Sequence, residues 1–107
     1  MSSSKPTPYR LAPKALEDLD AVWRYTTETW SLEQADAYID GITHAFQLIA
    51  DMPTIARERT EFVPPVRIHV HQGHLVVYVL ADGYVSVLRV LGGRQNWQAI
   101  LQASELR

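Results

Sequence analysis

The sequence predicts an α+β domain: a short N-terminal strand, an antiparallel helical hairpin packed on an antiparallel three-stranded meander, and a short C-terminal helix. Three observations predict it. Apolar residues recur at spacings of three and four over the first half of the chain, the mark of amphipathic helices. After Pro64-Pro65 the spacing changes to two, the mark of strands. Two short turn signals, Gln72-Gly73 and Asp82-Gly83, divide that second half into three strands. Helices segregated from an antiparallel meander make an α+β fold.

Met1–Pro8 reads as a disordered lead, and residues 9–107 as a single domain. Tyr9-Arg-Leu11 is a short strand that closes at Pro13. Proline suits the first helical turn, where its missing N–H has no partner to lose. Leu16, Leu19, Trp23, Thr26 and Trp30 then form one face of a helix over Pro13–Trp30. Ser31-Leu-Glu-Gln34 fits a capping box and starts a second helix. Ala35, Tyr38, Ile39, Ile42, Phe46 and Ile49 carry its apolar face to Asp51, before Pro53. Two long helices with almost no loop between them pack antiparallel. Val66–His71, Leu75–Leu80 and Tyr84–Leu91 are the meander strands, and Gly92-Gly93 stops the last. Asn96 caps a final short helix.

Two-residue turns set a register. His69 faces Val76, Arg67 faces Tyr78, Tyr78 faces Val87, and Val76 faces Arg89. One sheet face then holds Val66, Ile68, Val70, Leu75, Val77, Val79, Leu88 and Val90, with Ser86 the polar member, and is expected to cover the helical hairpin. The other holds Arg67, His69, His71, His74, Val76, Tyr78, Val85, Val87 and Arg89. It is expected to lie open, apolar in the middle and cationic or titratable at its rim, unless the lead or the last helix caps it. A slip of one residue would exchange the two faces.

Composition narrows the chemistry. The 107 residues are 47% hydrophobic and 21% charged, in the range of a folded protein. Net charge is -2, but it is unevenly spread: residues 1–52 are acidic, and the second half owes its positive balance to arginines alone. No apolar run is long enough for a membrane span and no secretory leader is evident, so a cytoplasmic location is expected. The absence of cysteine excludes disulfides and thiolate catalysis. Neither a phosphate-cradling loop nor a persuasive nucleophile is present, and no residue is assigned a catalytic role. His69, His71 and His74 would share a sheet face. Polar alternation explains them better than a zinc or copper site, which would lack a completing carboxylate. No cofactor or metal is expected.

A further signal lies in an ordered set of residues: Tyr9-Arg-Leu11, Pro13, Ala15, Asp18-Leu19, Val22-Trp23, Tyr25-Thr26, Trp30, Gln34-Ala35, Tyr38, Phe46 and Pro53, then Val77-Tyr78 and Val87-Leu88-Arg89-Val90-Leu91-Gly92-Gly93-Arg94. Over about residues 9–101 this set resembles toxins of the ParE group, in the RelE/ParE superfamily of type II toxin–antitoxin systems. The chain departs from many relatives at Ser31, at Ile55-Ala56-Arg57 and at Gly92-Gly93-Arg94.

The resemblance implies a growth-arresting toxin that a cognate ParD-like antitoxin neutralises in a hetero-oligomer, with DNA gyrase as target and without direct nucleic-acid binding. RNA-cleaving relatives use basic residues on the meander and an acid/base group after the last strand. Arg67 and Arg89 fall at two such positions, but no Tyr or His follows Arg89. His69 or His71 keeps a ribosome-dependent endoribonuclease as one alternative. An inactive homologue serving in an autorepressor complex is another. Leu16, Leu19, Trp23, Arg67, His69, Tyr78, Val87 and Arg89 are the expected antitoxin contacts. Arg57, Arg59, Arg94 and Trp97 are the expected target contacts.

Overall fold

The computed structural model describes residues 9–103; the expected lead over 1–8 lies outside the described residues. Strand β1 (Tyr9–Leu11) leads into helix α1 (Pro13–Thr29) and helix α2 (Leu32–Asp51). A single 3-10 turn (Pro53–Ile55) then precedes β2 (Glu58–Arg59), β3 (Val66–His71), β4 (His74–Ala81), β5 (Tyr84–Gly92) and helix α3 (Trp97–Ala103).

Local chemistry accounts for the helix boundaries. Pro13 occupies the start of α1. Ser31 caps α2, its hydroxyl accepting the Gln34 amide at 3.0 Å. The Asn96 carbonyl takes the Ile100 amide and opens α3.

The meander has two additional edge strands. The sheet order is β1-β5-β4-β3-β2. β1 runs parallel to β5, with Leu11 opposite Val87. Glu58–Arg59, expected as part of a charged loop, pairs antiparallel with β3. Both turns are two-residue loops, closing at His71 opposite His74 and Ala81 opposite Tyr84. Gly83 supplies the positive φ of 77° in the second turn.

The expected register is correct as far as Tyr78 opposite Val87 and then fails. A bulge lets Val77 face Arg89 and Val76 face Val90, so Val76 does not face Arg89. One extra residue on β5 moves Val90 to the side where alternation had placed Arg89.

The expected assignment of sheet faces is reversed. Helices α1 and α2 cover Val76, Tyr78, Val85, Val87 and Val90, packing them against Ala15, Ile42, Phe46 and Ile49. Tyr78 and Val87 are both 0% exposed. The opposite face, with Val66, Val77, Leu88 and Leu91, is covered by Phe62 and by Leu101, Trp97 and Ile100 of α3. The sheet is thus the middle of three layers. β4 is apolar on both sides, so alternation alone could not say which side was inner. The C-terminal helix also covers more than its length suggested. Burying a Val or Leu side chain is worth about 1.5–3 kcal/mol, so each layer contributes substantially.

The inward stripe of α1 also differs from expectation. Ala15, Leu19 and Val22 pack on the core. Leu16 and Trp30, expected to face inward, are 53% and 72% exposed.

Candidate functional site

The helical hairpin leaves a groove along its flank, with a volume of about 1010 Å³. Ala21, Val22, Tyr25 and Thr26 of α1, Trp30 just past its end, and Gln34 and Tyr38 of α2 line one wall; Gly73, His74, Val90 and residues 92–95 line the other. Tyr25 is 67% exposed here, and with Trp30 it presents two large aromatic rings to solvent. Exposed aromatic surface of this kind, rimmed by polar groups, suits a partner chain.

Asp18 forms part of the lining, where it ties α1 to β5. Its carboxylate accepts Arg89 Nε at 2.8 Å, Arg89 Nη2 at 2.9 Å and the Val90 amide at 2.8 Å. The hydrogen bonds to Asp18 hold the guanidinium more firmly protonated than an ordinary arginine. β1 pairs with β5 only as far as Val87, so Asp18 satisfies an edge N–H that no strand reaches. Asp18 is thus a largely buried clamp between α1 and β5.

On the same lining Tyr38 Oη lies 2.6 Å from His74 Nδ1. Burial raises the Tyr38 pKa, opposed by a hydrogen bond from the Gly73 amide. Burial, reinforced by the neighbouring His71, lowers the His74 pKa and favours the neutral imidazole. Arg94 is exposed on the same lining, with no ion-pair partner among the described residues.

The residues expected to meet a partner are scattered. Tyr78 and Val87 lie beneath the helices, and the Tyr78 hydroxyl donates to the Pro53 carbonyl at 2.7 Å. Arg89 is committed to Asp18. Arg67 donates to the Ala56 carbonyl at 2.6 Å, holding the chain after α2. Leu19 packs on the core. The Trp23 indole N–H donates to Asp36 at 3.1 Å, linking the two helices. His69 is half-buried, its pKa lowered by burial and then by His71. Leu16 remains exposed but does not line the groove.

The four expected target contacts also separate. Arg94 belongs to the groove. Arg59 sits on the opposite side of the sheet, 5.8 Å over the Trp97 ring and 5.9 Å over Phe62, and pairs with Glu61 at 2.7 Å. Arg57 is exposed beside it in sequence. Among the described residues no group of three His, Asp or Glu is placed to hold a metal ion, and no helix is long and apolar enough to cross a membrane.

The family model described as "ParE toxin of type II toxin-antitoxin system, parDE" matches residues 9–97. The chain belongs to the ParE toxin family. Toxin ParE1 of Mycobacterium tuberculosis (strain H37Rv) is 33% identical over 89 residues, covering 82% of this chain and 91% of that protein. Toxin ParE1 of Caulobacter vibrioides is 31% identical over 94 residues, covering 88% and 97%. A solved structure titled as a chromosomal ParDE system from P. aeruginosa superposes with a TM-score of 0.71 at 18% identity, over 80% of this chain and 95% of that one. The fold is therefore the ParE fold, and this chain is a ParE-type toxin of a type II toxin–antitoxin system. Sequence reasoning identified the family but missed the groove. Its signal was present in Tyr25, Trp30 and Tyr38, which belong to the motif and lie outside the Ala15–Leu19–Val22 stripe.

Proposed function

We propose that this ParE-family toxin acts by binding rather than by catalysis, that a ParD-like antitoxin neutralises it by laying a segment in the α1–β5 groove, and that its target is DNA gyrase. The observation that carries the non-enzymatic reading is the commitment of both meander arginines to the fold. Arg89 is clamped by Asp18 and Arg67 by the Ala56 carbonyl. General acid–base cleavage of RNA needs a positioned proton-transfer group beside free cations, and an arginine stays protonated throughout. The antitoxin reading rests on the exposed Tyr25 and Trp30 and on the name that the family model carries. Arg59 and Trp97, on the other side of the sheet from the groove, together with the exposed Arg57 are the proposed target surface.

Two assays test this, one with the purified chain and one in cells. Expected are inhibition of gyrase supercoiling and, in cells, DNA-damage signalling with growth arrest that the co-encoded antitoxin relieves. Ribosome-dependent mRNA cleavage with normal supercoiling would replace this reading with the endoribonuclease one. Tight antitoxin binding with no growth arrest would leave a repressor partner instead.

A further inference from the structure

Within the proposed groove, the pairing of His74 with Gly92 and the bond from the Gly93 amide to the Gly73 carbonyl bring the segment that carries Arg94 beside the Tyr38–His74 pair. We infer that this part of the groove is the seat for a carboxylate of the captured antitoxin segment, an Asp or Glu held by the Arg94 guanidinium and the His74 imidazole while apolar neighbours lie along Val22, Tyr25 and Trp30. The inference rests on the antitoxin reading of the groove and specifies its chemistry.

Hydrogen-bond bookkeeping supports it. Tyr38 Oη lies 2.6 Å from His74 Nδ1, and the phenol, a far stronger acid than a neutral imidazole N–H, is the donor in that contact. An imidazole that accepts at Nδ1 while neutral carries its proton on Nε2. Nε2 therefore remains a donor, and His74 lines the groove. The Arg94 guanidinium on the same lining presents donors only. The Gly92 and Gly93 amides are already taken, by the Gln95 side chain at 2.7 Å and the Gly73 carbonyl at 2.8 Å, so neither is open to a ligand. An acceptor bearing negative charge complements the two side chains.

The surroundings favour a peptide carboxylate over a nucleic-acid phosphate. Apart from the neutral His74, the lining has one uncommitted cation, Arg94, and the other charged group, Asp18, is an acid neutralised by Arg89. A polynucleotide site needs several phosphate-neutralising cations along a track. Here aromatic and aliphatic side chains, with a few neutral polar ones, line the groove beside that single free charge. An amphipathic peptide carrying one well-placed acid matches that lining.

The test titrates the full-length cognate antitoxin into the toxin and into three variants: Arg94→Ala, His74→Gln and Ala21→Arg. Ala21 is exposed and lines the groove, so an arginine there obstructs it without disturbing the core. Expected is loss of binding for Ala21→Arg and weakening by about tenfold for Arg94→Ala, the size of a lost charge-assisted contact. One antitoxin Asp→Asn or Glu→Gln change should give the same loss and add nothing on top of Arg94→Ala. Abolished binding for Ala21→Arg with full affinity for Arg94→Ala and His74→Gln overturns the carboxylate seat and leaves the groove standing. Normal binding of Ala21→Arg removes the groove reading itself. An Arg94→Ala toxin that binds antitoxin normally but no longer arrests growth assigns this part of the groove to the target and overturns the inference.

Discussion

Asp18 of α1 and Arg89 of β5 meet in a two-pronged ion pair, and the same carboxylate takes the backbone N–H of Val90. Both side chains are largely buried, with 14% and 17% exposure. Removing one member strands the other charge away from water, which typically costs about 3–5 kcal/mol for a buried pair. Asp18→Ala should fall near the upper end of that range, because it also orphans the Val90 amide. Arg89→Met should cost less, since Asp18 keeps its backbone donor. Denaturant unfolding of both single variants and the double variant measures the coupling. Strictly additive losses would show the pair to be a surface contact.

Tyr78 offers a second stability test. Its ring is fully buried under the helices and its hydroxyl reaches the Pro53 carbonyl, anchoring the chain where α2 ends. Tyr78→Phe keeps the packing and removes one hydrogen bond, for an expected loss of about 1 kcal/mol. Tyr78→Ala adds a cavity and should cost about 3–5 kcal/mol. A Tyr78→Ala protein as stable as the parent would place the residue on the open face that alternation alone suggested.

These residues show what the sequence could reveal. Helix α2 was legible to its ends, because Ser31 and Pro53 act locally on the backbone. The register was legible through Tyr78 and Val87, because turn length fixes it. The choice of face was not, because β4 alternates between two apolar sides and the covering layers come from distant chain. The bulge beyond Val87 was equally hidden: Leu88, Arg89 and Val90 obey alternation on paper, and only the fold inserts the extra residue. Asp18 was recognisable as part of the family pattern, but its partner lies 71 positions away. The groove formed from residues read as helix-face or turn residues, whose convergence is tertiary.

Gly41 tests how closely α2 approaches β3. A Cβ at that position would lie 3.2 Å from His71 Nε2, an atom buried without a hydrogen-bond partner. The His71 ring also packs against Tyr38, with centroids 5.8 Å apart, so it has little room to retreat. Alanine in place of a helical glycine ordinarily gains up to about 1 kcal/mol. Gly41→Ala should realise most of that gain in a His71→Ala background and clearly less in the parent. Equal gains in both backgrounds, read from chemical denaturation, would show that His71 moves aside freely.

The histidines beneath α2 should make stability fall in mild acid. Burial, then the charge of His71, lowers the pKa values of His69 and His74 from the ordinary 6.5. The folded state therefore binds fewer protons than the unfolded chain below that value. Their contribution is complete above 6.5 and is lost as pH falls from there through the lower folded values. Protonating His74 also removes the acceptor for the Tyr38 hydroxyl. Melting temperatures should decline between about pH 7 and about pH 5, before most carboxylates titrate. His69→Gln and His74→Gln should each flatten that decline. A profile that is level over this interval in the parent protein would mean that both imidazoles are as well hydrated in the fold as in the unfolded chain.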